Sequence, residues 1–269
     1  MEVTLVGSCM RCVFPRLPVF RGWKQNAFRA FRCSADENSR LRPFPYPVDC
    51  SLALPRYDWS SMIPAFEALQ RLREGNQRFV SGTRSLGSFT NQNRPGDFAN
   101  GQAPIAVILG CSDSRVPVEI VFDQGLGDLF VIRVAGNIVA PSQIGSVEFA
   151  AERFGTRLVV VLGHTRCGAV AATLEELQRP TLNQSRNIGS IVARIGPAVA
   201  GLLTTELRHD PAALAREAVR ANVRVAADRL RHGSSVLERL IATEGLHVVG
   251  AEYSLETGVV DLFDGTPTS

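Results

Sequence analysis

Two stretches of this chain abandon the alternation of polar and apolar positions. Pro104-Ile105-Ala106-Val107-Ile108-Leu109-Gly110 and Leu158-Val159-Val160-Val161-Leu162-Gly163 are apolar at nearly every position and rich in β-branched residues. Such runs read as strands covered on both faces, as in a parallel sheet. Elsewhere the pattern is helical. Ile63, Phe66, Leu69 and Leu72 recur at helical spacing, with Gly75 as the expected stop. Residues 187–203 and 210–242 keep that periodicity, punctuated by Pro197, Asp210-Pro211 and Gly233-Ser234. Near the C-terminus, Leu246-His247-Val248-Val249-Gly250-Ala251 and Val259-Val260-Asp261-Leu262-Phe263 flank a Glu256-Thr257-Gly258 turn. That pair predicts a hairpin at the sheet edge. Residues 40–57, with Pro43, Pro45, Pro47 and Pro55, read as an extended arm, and Thr83 to Gln102 as a polar loop. The expected fold is α/β: a single domain over residues 60–266, with a mostly parallel central β-sheet flanked by helices and an antiparallel edge hairpin at the C-terminus.

Composition changes this picture only at the amino end. A chain of 269 residues with 45% hydrophobic content can bury a sizeable core. With no uninterrupted apolar run of membrane length, no membrane span is expected. Residues 1–33 carry Arg11, Arg16, Arg21, Lys24, Arg29 and Arg32 against Glu2 alone, a balance of +5. The whole chain is +3, so the remainder is −2 and nothing in the body suggests nucleic acid. Residues 1–35, basic and acid-poor until Asp36-Glu37, are expected to be an organelle transit peptide. Phe31-Arg32-Cys33-Ser34-Ala35 resembles a plastid processing site, so the expected location is the chloroplast, with the mitochondrion as alternative. Residues 36–59 are then a linker or arm. Of the cysteines, Cys9, Cys12, Cys33 and Cys50 precede the domain, and no disulfide framework is expected.

Each apolar run leads directly into chemistry. The first ends at Cys111-Ser112-Asp113-Ser114-Arg115 and the second at His164-Thr165-Arg166-Cys167. Side chains just beyond the carboxyl ends of parallel strands face the crevice where open α/β sheets hold ligands. Cys111, His164 and Cys167 are therefore a three-ligand set suited to zinc, which prefers thiolate and imidazole at tetrahedral angles. A structural site would usually supply a fourth protein ligand, whereas a catalytic one leaves a position for water. Asp113 and Arg115, two residues apart, can share a face, and the guanidinium can orient the carboxylate and keep it ionised.

Cys-Ser-Asp-Ser-Arg followed some fifty residues later by His-Thr-x-Cys-Gly resembles the β-class carbonic anhydrases. Phe122 to Asn137 and Gly145-Ser146-Val147-Glu148-Phe149-Ala150 extend the likeness. The resemblance implies reversible hydration of carbon dioxide to bicarbonate and a proton by zinc-bound hydroxide. It implies Zn2+ on Cys111, His164 and Cys167, Asp113 and Arg115 as a catalytic dyad, and a homodimer or higher homo-oligomer with its substrate cleft at the subunit interface. By position, Phe130 and Phe149 match aromatic residues of that cleft, and Gly168 matches a backbone donor near the bound anion. Plant-type members carry a glutamine where this chain has Gly125, so Gln124 is a displaced substrate-site candidate. Members inhibited by bicarbonate carry a Trp where Ile108 stands, and that regulation is not expected. Two other readings share these residues. One is hydrolysis of carbon disulfide or carbonyl sulfide in the same cleft; the other is an inactive zinc- or bicarbonate-binding scaffold, against which an intact dyad argues. His209, His232 and His247 are expected at the surface rather than in a proton relay.

Overall fold

The two apolar runs become neighbouring central strands. A computed structural model describes residues 63–83, 101–180 and 185–266; the expected leader and arm, and residues 84–100 of the polar loop, lie outside them. Strands β1 (Ala106–Gly110), β2 (Leu129–Arg133), β3 (Leu158–His164), β4 (His247–Tyr253) and β5 (Val260–Asp264) form one sheet in the order β2-β1-β3-β4-β5. The first four pair in parallel, and β5 closes the edge antiparallel to β4. Every residue of β1 and β3 is buried, which is why their sequences show no period of two.

Both faces of the sheet are covered. Helices α1 (Ala65–Val80) and α2 (Val118–Val121) pack on one face, where Leu69, Leu72, Val118 and Val121 meet Ile108, Val160, Leu162 and Val249. On the other face, Val107, Leu109, Val159 and Val161 meet α3 (Pro141–Arg153), α6 (Pro211–His232) and α7 (Ser235–Thr243). Helices α4 (Gly168–Gln178) and α5 (Arg186–Val199) pack with α6 in a third cluster that includes Cys111 and Cys167. Two of the breaks read from the sequence act as caps: Asp210 Oδ1 accepts from the N–H groups of Ala212 and Ala213, and Ser234 Oγ from Leu237, whereas Pro197 lies inside α5.

One expectation needs correction. Gly75 does not stop α1, which runs on to Val80. A Cβ on Gly75 would lie 1.8 Å from the Phe122 carbonyl oxygen, so this glycine is where the helix touches the backbone after α2. One segment bears on the expectation of no membrane span without overturning it. Arg186–Thr204 is long and apolar enough, by length and composition alone, to cross a bilayer. In the fold this segment is α5 followed by a 3-10 turn at Ala200–Thr204, and its Ile195 and Val199 are fully buried in the third cluster.

The connection from β1 leads to β2 on one side, while β3 lies on the other. The carboxyl ends of β1 and β3 therefore flank a topological switch point, where an open α/β sheet leaves a crevice. Gly110 pairs with Leu162 in that register, so Cys111 aligns with Gly163 and His164 emerges one residue further along.

Candidate metal centre

Cys111, His164 and Cys167 converge at this crevice. All three are buried, and one ligand atom from each lies within 4.8 Å of the others. Cys111 follows the last residue of β1, His164 ends β3, and Cys167 is the N-cap residue of α4. That capping position matters because the first N–H groups of a helix have no intrahelical partner and favour an anion. At Cys167 this pull is weak: the Cys111 hydrogen bond and burial push its thiol up, and the N–H groups of Val170 and Ala169 offset that only in part.

The imidazole is oriented for ligation. His164 Nδ1 is 2.9 Å from the Thr165 carbonyl oxygen, an acceptor only, so Nδ1 carries the hydrogen and Nε2 presents a lone pair. Nε2 is fully buried without a hydrogen-bond partner. A buried, unsatisfied nitrogen beside two sulfurs is costly in a protein alone and is what a cation would satisfy. The donor set fits zinc.

The electrostatics agree. Without a metal the two thiols share a proton: the hydrogen bond between them holds Cys111 below the ordinary thiol range and pushes Cys167 above it. Burial opposes a charge on His164, but the Cys111 sulfur and the Thr165 carbonyl together raise its pKa.

Asp113 and Arg115 form the expected clamp. Asp113 Oδ1 accepts from Arg115 Nε at 2.9 Å and from its backbone N–H at 3.0 Å, while Oδ2 accepts from Nη2 at 2.7 Å. The guanidinium holds the Asp113 carboxyl well below the usual carboxylate range. Oδ2 also lies 3.8 Å from His164 Nε2, which places the carboxylate at the rim of the cluster.

The substrate-site candidates are placed differently. Phe130 and Phe149 form an aromatic group with Phe154, with ring centroids 5.5–6.3 Å apart, and Phe149 is 52% exposed. Gly168 is exposed at the start of α4, and a Cβ there would meet nothing within 4 Å. Gln124 is buried against α1, its amide nitrogen donating to the Phe122 and Asp123 carbonyls. His209, His232 and His247 are exposed, as expected.

Sequence reasoning missed a supporting layer. Arg133, the last residue of β2, donates from Nε to the Cys111 carbonyl at 3.1 Å and from Nη2 to the Asp113 carbonyl at 2.5 Å. Gly136 donates its N–H to Cys111 Sγ at 3.3 Å. Its φ of 69° favours glycine, and a Cβ there would also crowd Ile195 and Ala169. Asn222 on α6 donates to the Gly136 carbonyl at 2.8 Å, fixing that turn from behind. An asparagine inside the apolar stripe of α6 was the signal available for it.

Comparison with known proteins bears on the same region. The family profile described as carbonic anhydrase matches residues 106–260. "Carbonic anhydrase 2" of Mycobacterium tuberculosis is 41% identical over 197 residues, 73% of this chain and 92% of that protein. The carbonic anhydrase of Mycolicibacterium smegmatis is 38% identical over 199 residues, 72% of this chain and 91% of its own length. A tetrameric β-carbonic anhydrase from the filamentous ascomycete Sordaria macrospora superposes with a TM-score of 0.57 at 25% identity, over 64% of this chain and 87% of that one. These relatives overturn one expectation. The mycobacterial proteins come from bacteria, which have neither chloroplasts nor mitochondria, and they point away from an organelle. An arginine-rich leader is only a compositional correlate of targeting, which is why it misled. The profile, the relatives and the sheet that brings both motifs to one crevice agree: the chain belongs to the β-class carbonic anhydrases, enzymes that interconvert carbon dioxide and bicarbonate.

Proposed function

We propose that this protein is a zinc-dependent catalyst of reversible carbon dioxide hydration, with the metal held by Cys111 Sγ, His164 Nε2 and Cys167 Sγ. The observation that carries the reading is a buried histidine with an unsatisfied Nε2, its ligand atom within 4.8 Å of both sulfurs, beside a carboxylate clamped by arginine. Zinc, when bound, supplies the Lewis acidity that makes water a nucleophile near neutral pH.

The residues of the chain do the rest. Both Asp113 oxygens are engaged by Arg115, which keeps the carboxylate ionised and directs it along the rim of the cluster. There Asp113 accepts a hydrogen bond from the O–H of an entering water, which turns an oxygen lone pair toward the carbon of carbon dioxide. The same clamp holds Asp113 off the ligand set and supports a site open to substrate. Gly136 N–H stabilises the Cys111 thiolate, and the Nδ1–H bond to Thr165 holds the His164 tautomer. The N–H of Gly168, in the first turn of α4, is a donor for an oxygen of the bicarbonate formed. With His209, His232 and His247 at the surface, the released proton leaves through water or buffer.

The exposed aromatic group around Phe149, and the tetrameric state of the Sordaria protein, support a homo-oligomer whose apolar cleft is completed by a second copy. The decisive experiment is stopped-flow hydration of carbon dioxide by protein of verified zinc content. Turnover far above the buffer rate is expected. A zinc-loaded oligomer without activity at mildly alkaline pH would defeat the proposal.

A further inference from the structure

We propose that Glu256, in the β4–β5 turn, is a positioning residue for the metal loop, holding Arg166 in a left-handed backbone and so fixing His164 and Cys167 relative to each other. This rests on reading those two residues as ligands. Only Thr165 and Arg166 separate them, and the chain must turn sharply between the end of β3 and the start of α4. Arg166 makes the turn with a φ of 56°. An L-residue with a side chain carries a steric cost in that conformation. Glycine would avoid the cost, but this chain has arginine.

Glu256 grips both intervening residues. Its Oε1 lies 2.7 Å from Arg166 Nε, and its Oε2 accepts from Thr165 Oγ1 at 2.7 Å. Thr165 Oγ1 in turn accepts from the Leu255 N–H at 3.0 Å, and the Thr165 N–H donates to the Tyr253 carbonyl at 3.0 Å. Every link between the two ligands is therefore tied to residues 253–256. The turn is itself anchored. Ser254 Oγ donates to Glu256 Oε2 at 3.3 Å and accepts from the Thr257 N–H at 3.1 Å. Buried Asn76 on α1 donates to the Gly258 carbonyl at 2.9 Å and accepts from the Val260 N–H at 2.9 Å. A chain of bonds thus runs from α1 through the edge hairpin to the metal loop.

An exposed ion pair is ordinarily worth little for stability, and Arg166 is 74% exposed. The role argued for Glu256 is geometric: metal sites lose function when a ligand drifts by about 0.5 Å.

The test uses the full-length protein loaded with zinc, or with cobalt(II) as a spectroscopic probe. Glu256→Ala is expected to release zinc to a chelator about tenfold faster, the lower end of what outer-sphere partners contribute to metal affinity. It should also shift the thiolate-to-cobalt charge-transfer band. Adding Arg166→Gly in that background should recover much of the loss, because glycine holds a positive φ unaided. Release kinetics and a cobalt spectrum unchanged in Glu256→Ala would overturn the positioning role while leaving the ligand set intact, even if the metal-free variant melts lower. Absence of a thiolate-to-cobalt band in the unaltered protein would overturn the ligand set and the proposal with it.

Discussion

At the scale of single residues, the site works by removing freedom from a few polar groups. Asp113 has no rotamer choice while Arg115 holds both its oxygens, and His164 has no tautomer choice while Nδ1 faces a carbonyl. Asp113→Asn tests the first of these. The amide keeps the shape but can no longer act purely as acceptor, so zinc content should stay at the unaltered level while kcat falls by about 100-fold or more, the usual scale of a positioned proton acceptor. Stopped-flow turnover measured beside metal analysis decides it. Unchanged turnover would remove Asp113 from the mechanism. These residues were legible because each sits immediately after an apolar run, where the sheet itself dictates the direction of the side chain. Arg133 and Gly136 were not legible as site residues. Their roles depend on β2 lying beside β1 and on the turn after β2 folding back over Cys111, which no local pattern encodes.

Among elements, the strands and helices followed from periodicity, whereas their contacts did not. Gly75 carries the mark of a helix stop in the sequence and in the fold is a contact point with Phe122. The α6 stripe reads as continuous core, but it is interrupted by Asn222 and flanked by Arg220, which reaches across to Glu252 on β4 at 3.2 Å and Asp261 on β5 at 2.9 Å. Burial pushes the Glu252 carboxyl above its ordinary range; Arg220 pulls it back only in part, and Asp261 and Glu217 add to the rise. In the window just above the ordinary carboxylate value, the folded protein therefore holds a proton that the unfolded chain releases more readily. The contribution of Glu252 to stability therefore falls as pH rises through that window. Glu252→Gln has no proton to lose. Its melting temperature relative to the unaltered protein should shift in the variant's favour as pH rises, which a thermal-melt series across mildly acidic to neutral pH measures. A constant difference would mean that Glu252 is not held up by burial.

For the whole molecule, what the described residues leave uncovered is as informative as the core. Phe149 is 52% exposed although it meets Phe130 at a tilt and Phe154 edge-on, and Phe66 on α1 is 45% exposed. Large aromatic side chains grouped at a surface usually mark a contact. The sequence suggested the partner only through resemblance, because apolar periodicity does not distinguish a face covered by the same chain from one covered by another copy. Phe149→Glu separates the two. A carboxylate forced into an apolar interface loses its hydration without a partner, so the variant should remain folded yet dissociate to monomer at micromolar concentration. Light scattering coupled to size-exclusion chromatography reads the mass directly. Turnover should fall with dissociation if the cleft is shared between copies, while zinc stays bound, because Cys111, His164 and Cys167 all come from one chain. An unaltered mass would place the interface elsewhere on the surface. A monomer with full turnover would show instead that one chain encloses its own substrate path.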